Sequence, residues 1–202
     1  MFFTFDGIDG TGKSTQADLF CKWLAERGLE VVRCRDPGAT VLGERLRDIL
    51  LQSKDDTPIS NRSETLIYMA ARAQLVHEIV RPAVKAGKVV VSDRFLLANV
   101  AYQAYGLDLE PQDIWDLGEF ATQGLEPTRT FLLDLDVDAA AERLTSDTDR
   151  LERRGKEYFQ RVRDGFLTEA RNRAEKIVVL DAARSIEDIQ IDIRCVAAKV
   201  LR

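Results

Sequence analysis

Only one histidine, His77, occurs in 202 residues, and it lies in a helical stretch without other metal-ligating residue types at helical spacing. Its position points to packing or the surface and away from histidine-based catalysis or a metal centre. Cysteine is scarce as well: Cys21, Cys34 and Cys195 are scattered and form no C-x-x-C pair. A disulfide framework and a zinc site are therefore not expected, and a reduced, cytoplasmic setting is. No apolar run approaches the roughly 20 residues of a membrane helix, and a glycine-rich segment beginning at Gly7 leaves no room for a cleaved signal. An excess of positive charge is also missing, since 29 Lys and Arg stand against 34 Asp and Glu, for a net charge of −5. A general nucleic-acid binder needs clustered excess cations, whereas a small anionic ligand needs only a local positive site. No Asn-Lys-x-Asp motif is present, and the only Asp-x-x-Gly lies at Asp9–Gly12 inside the glycine-rich segment, so a GTPase switch is not expected. No Pro/Ser-rich linker divides the chain, and a single domain over residues 1–202 follows.

What the chain does have begins at its first residues, "MFFTFDGIDGTGKSTQADLF". Met1 to Asp6 reads as a short buried strand, apolar and aromatic without helical spacing. Gly7, Ile8, Asp9, Gly10, Thr11, Gly12, Lys13 and Ser14 fit G-x-x-x-x-G-K-[ST], and Thr15 follows. Ala17, Phe20, Cys21 and Leu24 then fall on one face of a helix. This is the strand, loop and helix context that a phosphate-binding P-loop requires. Glycines let backbone N–H groups curl into an anion cradle, the helix N-terminus adds its positive end, Lys13 reaches the β/γ-phosphates, and the Ser14 hydroxyl ligates Mg²⁺. Chance yields roughly 0.003 such matches in a chain of this composition, so a nucleotide is the expected ligand.

Strand and helix signals alternate along the chain. Strands are expected at Met1–Asp6, Glu30–Arg35, Val89–Ser92, Thr130–Leu135 and Ile177–Leu180, with helices at Lys13–Arg27 and Leu42–Gln52 and a long one from about Ser63 to Ala86. Five short apolar strands interleaved with helices predict a three-layer α/β sandwich of the P-loop NTPase type, with a five-stranded parallel sheet, helices on both faces, and ligands beyond the carboxyl ends of the strands. Two of those ends carry chemistry: "CRDPGAT" (Cys34–Thr40) and "VVVSDRF" (Val89–Phe95). Asp93 reads as a Walker-B-type acid for Mg²⁺, and Arg94 as a cation that spans donor and acceptor phosphates. Arginine outnumbers lysine 21 to 8, and eight of the arginines lie from Arg143 to Arg173. Its planar fork suits phosphate oxygens, although most arginines on a long helix form solvated i,i+4 pairs.

Taken together, "FDGIDGTGKST", "RDPGAT", "LIYMAARAQL", "SDRFLLANVAYQAYG", "DRLERRGKEYFQRVRDGFL" and "VLDAARSIED" resemble the thymidylate kinases in order, spacing and content, from residue 5 to about residue 188. The resemblance implies a nucleoside-monophosphate-kinase-like domain over 1–202 with a short lid at about 145–155, a homodimer, and transfer of the γ-phosphoryl of ATP to dTMP with Mg²⁺ between the donor phosphates. Carried over residue by residue, it assigns Gly7 to Thr15 to ATP and Asp9 to the sugar 3′-hydroxyl or the metal side of dTMP. Arg35 and Arg47 fall around the acceptor phosphate, Pro37 among the substrate-binding residues, Tyr68 and Arg72 at the thymine ring and its edge, and Asn99 at the base. Tyr102 and Gln103 would wall off the 2′ side of the sugar. The resemblance further implies an arginine supplied either by the P-loop position after Gly10 or by the lid; that position is Thr11 here, so the lid is expected to supply it through Arg150 first and Arg153 second, with Arg143 as a hinge-side contact. The catalytic set is thus Lys13, Arg94, Asp9, Arg150 and Arg153. The chain departs from the family pattern at Asp6, Asp36, Tyr68, Ala104 and Leu107. Two alternatives remain open: a deoxynucleoside kinase, which would leave Arg35 and Arg47 without an acceptor phosphate, and a nucleotide-binding regulator without turnover.

Overall fold

The computed structural model describes residues 1–52, 58–144 and 154–201. Five strands, β1 (Phe2–Asp6), β2 (Val31–Arg35), β3 (Val89–Asp93), β4 (Arg129–Asp134) and β5 (Ile177–Asp181), form one parallel sheet in the order β2-β3-β1-β4-β5. Each lies within a residue or two of its expected span. Both sheet faces are covered, as an all-parallel sheet requires. Phe3 and Phe5 of β1 and Phe131 of β4 pack with Phe20 and Leu24 of α1 (Lys13–Glu26) and with Ile189 and Ile193 of α9 (Ile186–Val200). Phe2 and Val90 turn the other way. They join Leu75, Val80, Val100 and Ile114, which come from α3 (Asn61–Leu75), the π turns that follow α3 and α5 (Leu96–Asn99), and α6 (Pro111–Thr122).

The long helix expected from Ser63 to Ala86 starts two residues earlier and is not uniform. Ser60 caps it, its hydroxyl accepting from the Ser63 N–H at 3.2 Å. It runs as α3, widens into a π turn at Val76–Val80, and resumes as α4 (Arg81–Lys85). The widening lies just before Pro82, which has no N–H and whose ring presses on the carbonyl four residues back. A second π turn, Val100–Tyr105, extends α5 and aims Tyr102 and Gln103 at the cavity described below. The remaining helices are α2 (Val41–Gln52), α7 (Val137–Glu142) and α8 (Lys156–Asn172). The parallel register sets Phe5 against Asp93 and Asp93 against Arg35. The ends of β1, β3 and β2 therefore stand side by side at one edge.

Candidate active site

The loop after β1 adopts a backbone that only glycine tolerates at two points. Gly7 and Gly10 have φ of 137° and 84°, and a Cβ on either would collide with a backbone carbonyl, Leu133 O or Ala140 O respectively. Within the loop, Thr11 Oγ1 donates to Ile8 O at 2.9 Å. Lys13 folds back over the loop, its ammonium donating to Ile8 O at 2.8 Å and to Asp9 Oδ1 at 3.3 Å. An ammonium has three protons, so one remains for a ligand. A cavity of about 400 Å³ opens here, lined by Gly10, Gly12, Ser14 and Thr15 on one side and by Arg35, Arg47, Asp93 and Arg94 on the other.

Arg94 leaves β3 with φ of 63°, a strained value for a residue with a side chain. Backbone and acids hold it there. Its N–H donates to Phe5 O at 2.9 Å, and its guanidinium donates to Gly7 O at 3.0 Å, Asp9 Oδ1 at 2.7 Å and the Tyr102 hydroxyl at 3.1 Å. The same guanidinium lies over the Tyr102 ring, 4.9 Å from its centroid. Lys13 and Arg94 thus converge on one oxygen of Asp9, from the loop and from the neighbouring strand end. Burial works to raise the Asp9 carboxyl, but the two cations outweigh it and hold Asp9 well below the usual carboxylate range. Burial and the Arg94 charge push the Lys13 ammonium down.

Beneath the loop, Asp6 is fully buried, and among the described residues neither of its oxygens has a hydrogen-bond partner. Burial pushes its carboxyl up to about 7, against the pull of Arg94 and Lys13. Ser14 Oγ donates to Asp93 Oδ2 at 2.6 Å. This hydroxyl and carboxylate are hard oxygen donors of the kind Mg²⁺ takes, and Mg²⁺ needs only one or two protein ligands when phosphates and waters complete its shell. Among the described residues there is no group of three or more His, Cys, Asp or Glu side chains suited to a metal.

A second cavity of about 220 Å³ continues from the first and is lined by Asp9, Pro37, Arg47, Leu51, Tyr68, Asn99, Tyr102 and Gln103. Arg47 Nη1 donates to Pro37 O at 3.2 Å at its mouth. Arg35, which lines the first cavity, donates to Glu44 Oε2 at 2.7 Å. Arg72 does not line this cavity; it lies behind it at 1% exposure, donating to Asp36 Oδ2 at 2.6 Å and to Asn99 Oδ1. Gly7 to Thr15, Arg35, Pro37, Arg47, Tyr68, Asp93, Arg94, Asn99, Tyr102 and Gln103 are therefore gathered at one edge of the sheet. A separate cavity of about 370 Å³, lined by Thr4, Leu96, Trp115, Pro127, Thr130 and Lys176, includes no residue of the Gly7–Thr15 loop.

Arg150 and Arg153, with lid residues 145–153, lie outside the described residues. Arg143 donates to Ala182 O at 3.1 Å. Of the other arginines of that run, Arg163 grips both Asp134 oxygens at 2.7 and 3.0 Å, and Arg161 donates to Gly106 O at 3.1 Å. Arg154 alone of these turns toward the site, donating to Glu64 Oε2 at 2.6 Å. Sequence reasoning passed over Glu64, Arg154 and Arg33, whose Nη2 lies 3.5 Å from Asp93 Oδ2. The spacing of Glu64, Tyr68 and Arg72 by fours on α3 was the available signal for Glu64.

A family model for thymidylate kinase matches residues 5–193. The thymidylate kinase of Fervidobacterium nodosum is 41% identical over 194 residues, covering 96% of each chain. That of Leifsonia xyli subsp. xyli is 44% identical over 198 residues, covering 96% of this chain and 93% of its own. Among solved structures, the thymidylate kinase of Ehrlichia chaffeensis superposes with a TM-score of 0.79 at 30% identity, over 100% of this chain and 98% of that one.

Proposed function

The chain belongs to the thymidylate kinase family, an enzyme class that uses ATP to phosphorylate nucleoside monophosphates, and from that premise we propose how its own residues perform the transfer. The reaction is passage of the γ-phosphoryl of ATP to dTMP, giving dTDP and ADP, a step toward dTTP for DNA synthesis. Phosphoryl transfer asks the protein for alignment and for neutralised charge. Gly7 to Thr15 cradle the triphosphate through backbone N–H groups, and Lys13 bridges its β- and γ-phosphates. Arg94 spans donor and acceptor, and Asp9 keeps both cations aimed. The observation that carries this reading is the convergence of Lys13 and Arg94 on a single Asp9 oxygen, at 3.3 and 2.7 Å. It aligns two cations from separate elements beside one cavity while leaving each a free donor. Arg35 and Arg47 receive the acceptor phosphate, Tyr68 stacks on thymine, Asn99 meets its edge, and Tyr102 with Gln103 occupies the 2′ side of the sugar. Arg72, placed behind Asn99, orients that wall.

Ser14 and Asp93 would hold Mg²⁺, which would supply charge neutralisation at the donor phosphates. Arg150 and Arg153 add charge to the transferring group from the lid, and Arg150→Ala should lower kcat by on the order of 10²-fold with little change in ATP affinity. The protein is a homodimer in this reading, supported by the outward face of α2, α3 and α6, where Leu42, Ile49, Leu66 and Phe120 are exposed, Phe120 by 86%. Its three free cysteines support a reduced, cytoplasmic setting, and no described helix is long and apolar enough to cross a membrane.

An ATP/ADP coupled assay with dTMP, with thymidine and without acceptor tests the reading. ADP release that depends on dTMP is expected. Release with thymidine instead identifies a nucleoside kinase, and no release with any acceptor identifies a binding protein.

A further inference from the structure

Two helical faces meet behind the smaller cavity. Glu64, Tyr68 and Arg72 recur by fours on α3, and Asn99 and Gln103 by four across α5 and its π turn. Between them runs an unbroken polar chain. Asp36 accepts from Arg72 Nε at 2.6 Å, Arg72 Nη2 donates to Asn99 Oδ1, Asn99 Nδ2 donates to Gln103 Oε1 at 2.7 Å, and Gln103 Nε2 donates to Glu64 Oε1 at 3.1 Å. Glu64 also accepts from Arg154 Nη2 at 2.6 Å, and Arg154 Nη1 donates to the Tyr158 hydroxyl at 3.0 Å. Asp36, Arg72, Asn99, Gln103 and Glu64 are each buried to 3% exposure or less.

The two ends of this chain differ in kind. A guanidinium only donates and an ionised carboxylate only accepts, whereas an amide does both and can be turned end for end. With Arg72 at one end and Glu64 at the other, only one orientation of the two amides satisfies every link. Turning both would set N–H against the Arg72 donors and C=O against the Glu64 carboxylate; turning one would break the central bond. Asn99 and Gln103 also line the cavity, so the donors and acceptors they leave for a ligand are fixed by partners outside it.

We infer that Glu64, anchored by Arg154, is a positioning residue for base selection. It holds the Asn99 and Gln103 amides in the one orientation that suits a 4-oxo pyrimidine edge, and so it excludes the 4-amino edge whose donor and acceptor order is reversed. The inference rests on the thymine subsite of the proposed function. Glu64 acts through Gln103 and does not itself line the cavity.

The test is kcat/KM for dTMP and dCMP with ATP, measured first on the unaltered enzyme and then on Glu64→Gln and Arg154→Met, with KM for ATP and thermal melting recorded alongside. Glu64→Gln conserves volume but can present either end to Gln103. It should lower the dTMP-to-dCMP ratio about tenfold or more while leaving KM for ATP unchanged. Arg154→Met, just before α8, removes the guanidinium that donates to Glu64 Oε2 and should lower the ratio several-fold, giving a second reading if Glu64→Gln fails to fold. A ratio unchanged in the folded variants, or an equal fall for both acceptors, overturns the inference. If the unaltered enzyme already uses dCMP as well as dTMP, the thymine subsite itself is wrong, and the inference falls with it for that distinct reason.

Discussion

The proposed phosphate end and the proposed base end of the site handle charge in opposite ways. Around the P-loop, Lys13 and Arg94 are held by backbone carbonyls and one shared carboxylate, and each keeps donors unspent. Around the base cavity, Asp36, Arg72, Asn99, Gln103 and Glu64 are joined by buried hydrogen bonds, with Asp36 Oδ1 left without a partner among the described residues. The first arrangement is poised to gain partners when anionic oxygens arrive. The second is a wall completed before any ligand arrives. In the proposed function, charge that meets the transition state keeps donors unspent, whereas the charge that shapes the base cavity is tied into one buried chain in which only Asp36 Oδ1 lacks a partner among the described residues.

Breaking the phosphate end should cost catalysis. Lys13→Ala removes one cation from the transferring phosphoryl and should lower kcat on the order of 10³-fold. The protein should still melt cooperatively, because Asp9 retains Arg94. Near-normal kcat in steady-state assays would contradict its role.

Breaking the base end should cost stability. Asp36→Asn strands the buried Arg72 charge and should lose about 3 kcal/mol in urea unfolding. Arg35→Ala breaks a pair of similar length, 2.7 Å to Glu44, but Arg35 is 53% exposed, and the loss should stay below about 1 kcal/mol. Equal losses in the two variants would dissolve the contrast.

Asp6 sharpens the comparison through pH. Its carboxyl is raised to about 7 in the folded chain against an ordinary 3.8, so between those values the native state binds more protons than the unfolded one. Its contribution to stability is full below about pH 4 and is lost as pH rises through 7. Unfolding free energies of the unaltered protein and Asp6→Asn, compared at pH 5 and pH 8, should shift in favour of the variant by about 2 kcal/mol at the higher pH. A pH-independent difference would mean that Asp6 does not titrate in this range.

A modest effect on selectivity is expected at Tyr102, which borders the cavity and accepts a hydrogen bond from Arg94. Tyr102→Ala should narrow the preference for dTMP over its ribonucleotide analogue by roughly tenfold. Unchanged kcat/KM ratios would locate sugar discrimination elsewhere.

The same division explains what the sequence disclosed. The phosphate end is local: Gly7 to Thr15 are contiguous, and Asp93 and Arg94 directly follow an apolar run, so spacing alone exposes them. All five strands were legible for the same reason. The base end is assembled from distant segments; Glu64 and Arg154 lie 90 residues apart, and periodicity reveals a helical face without naming what it meets. Tyr68 and Arg72 were recognised as one face, yet only packing shows that Tyr68 borders the cavity while Arg72 stands behind Asn99. The π turn at Val100–Tyr105 leaves no pattern that distinguishes it from an ordinary helix, although it directs Tyr102 and Gln103.

The most direct measurement follows the phosphoryl group itself. The unaltered protein is incubated with ATP labelled at the γ-phosphate and equimolar dTMP, and the products are separated. The account predicts label in the β-phosphate of dTDP, with ADP formed in equal amount. Label appearing only as inorganic phosphate, or transferred to thymidine while dTMP stays untouched, would contradict it.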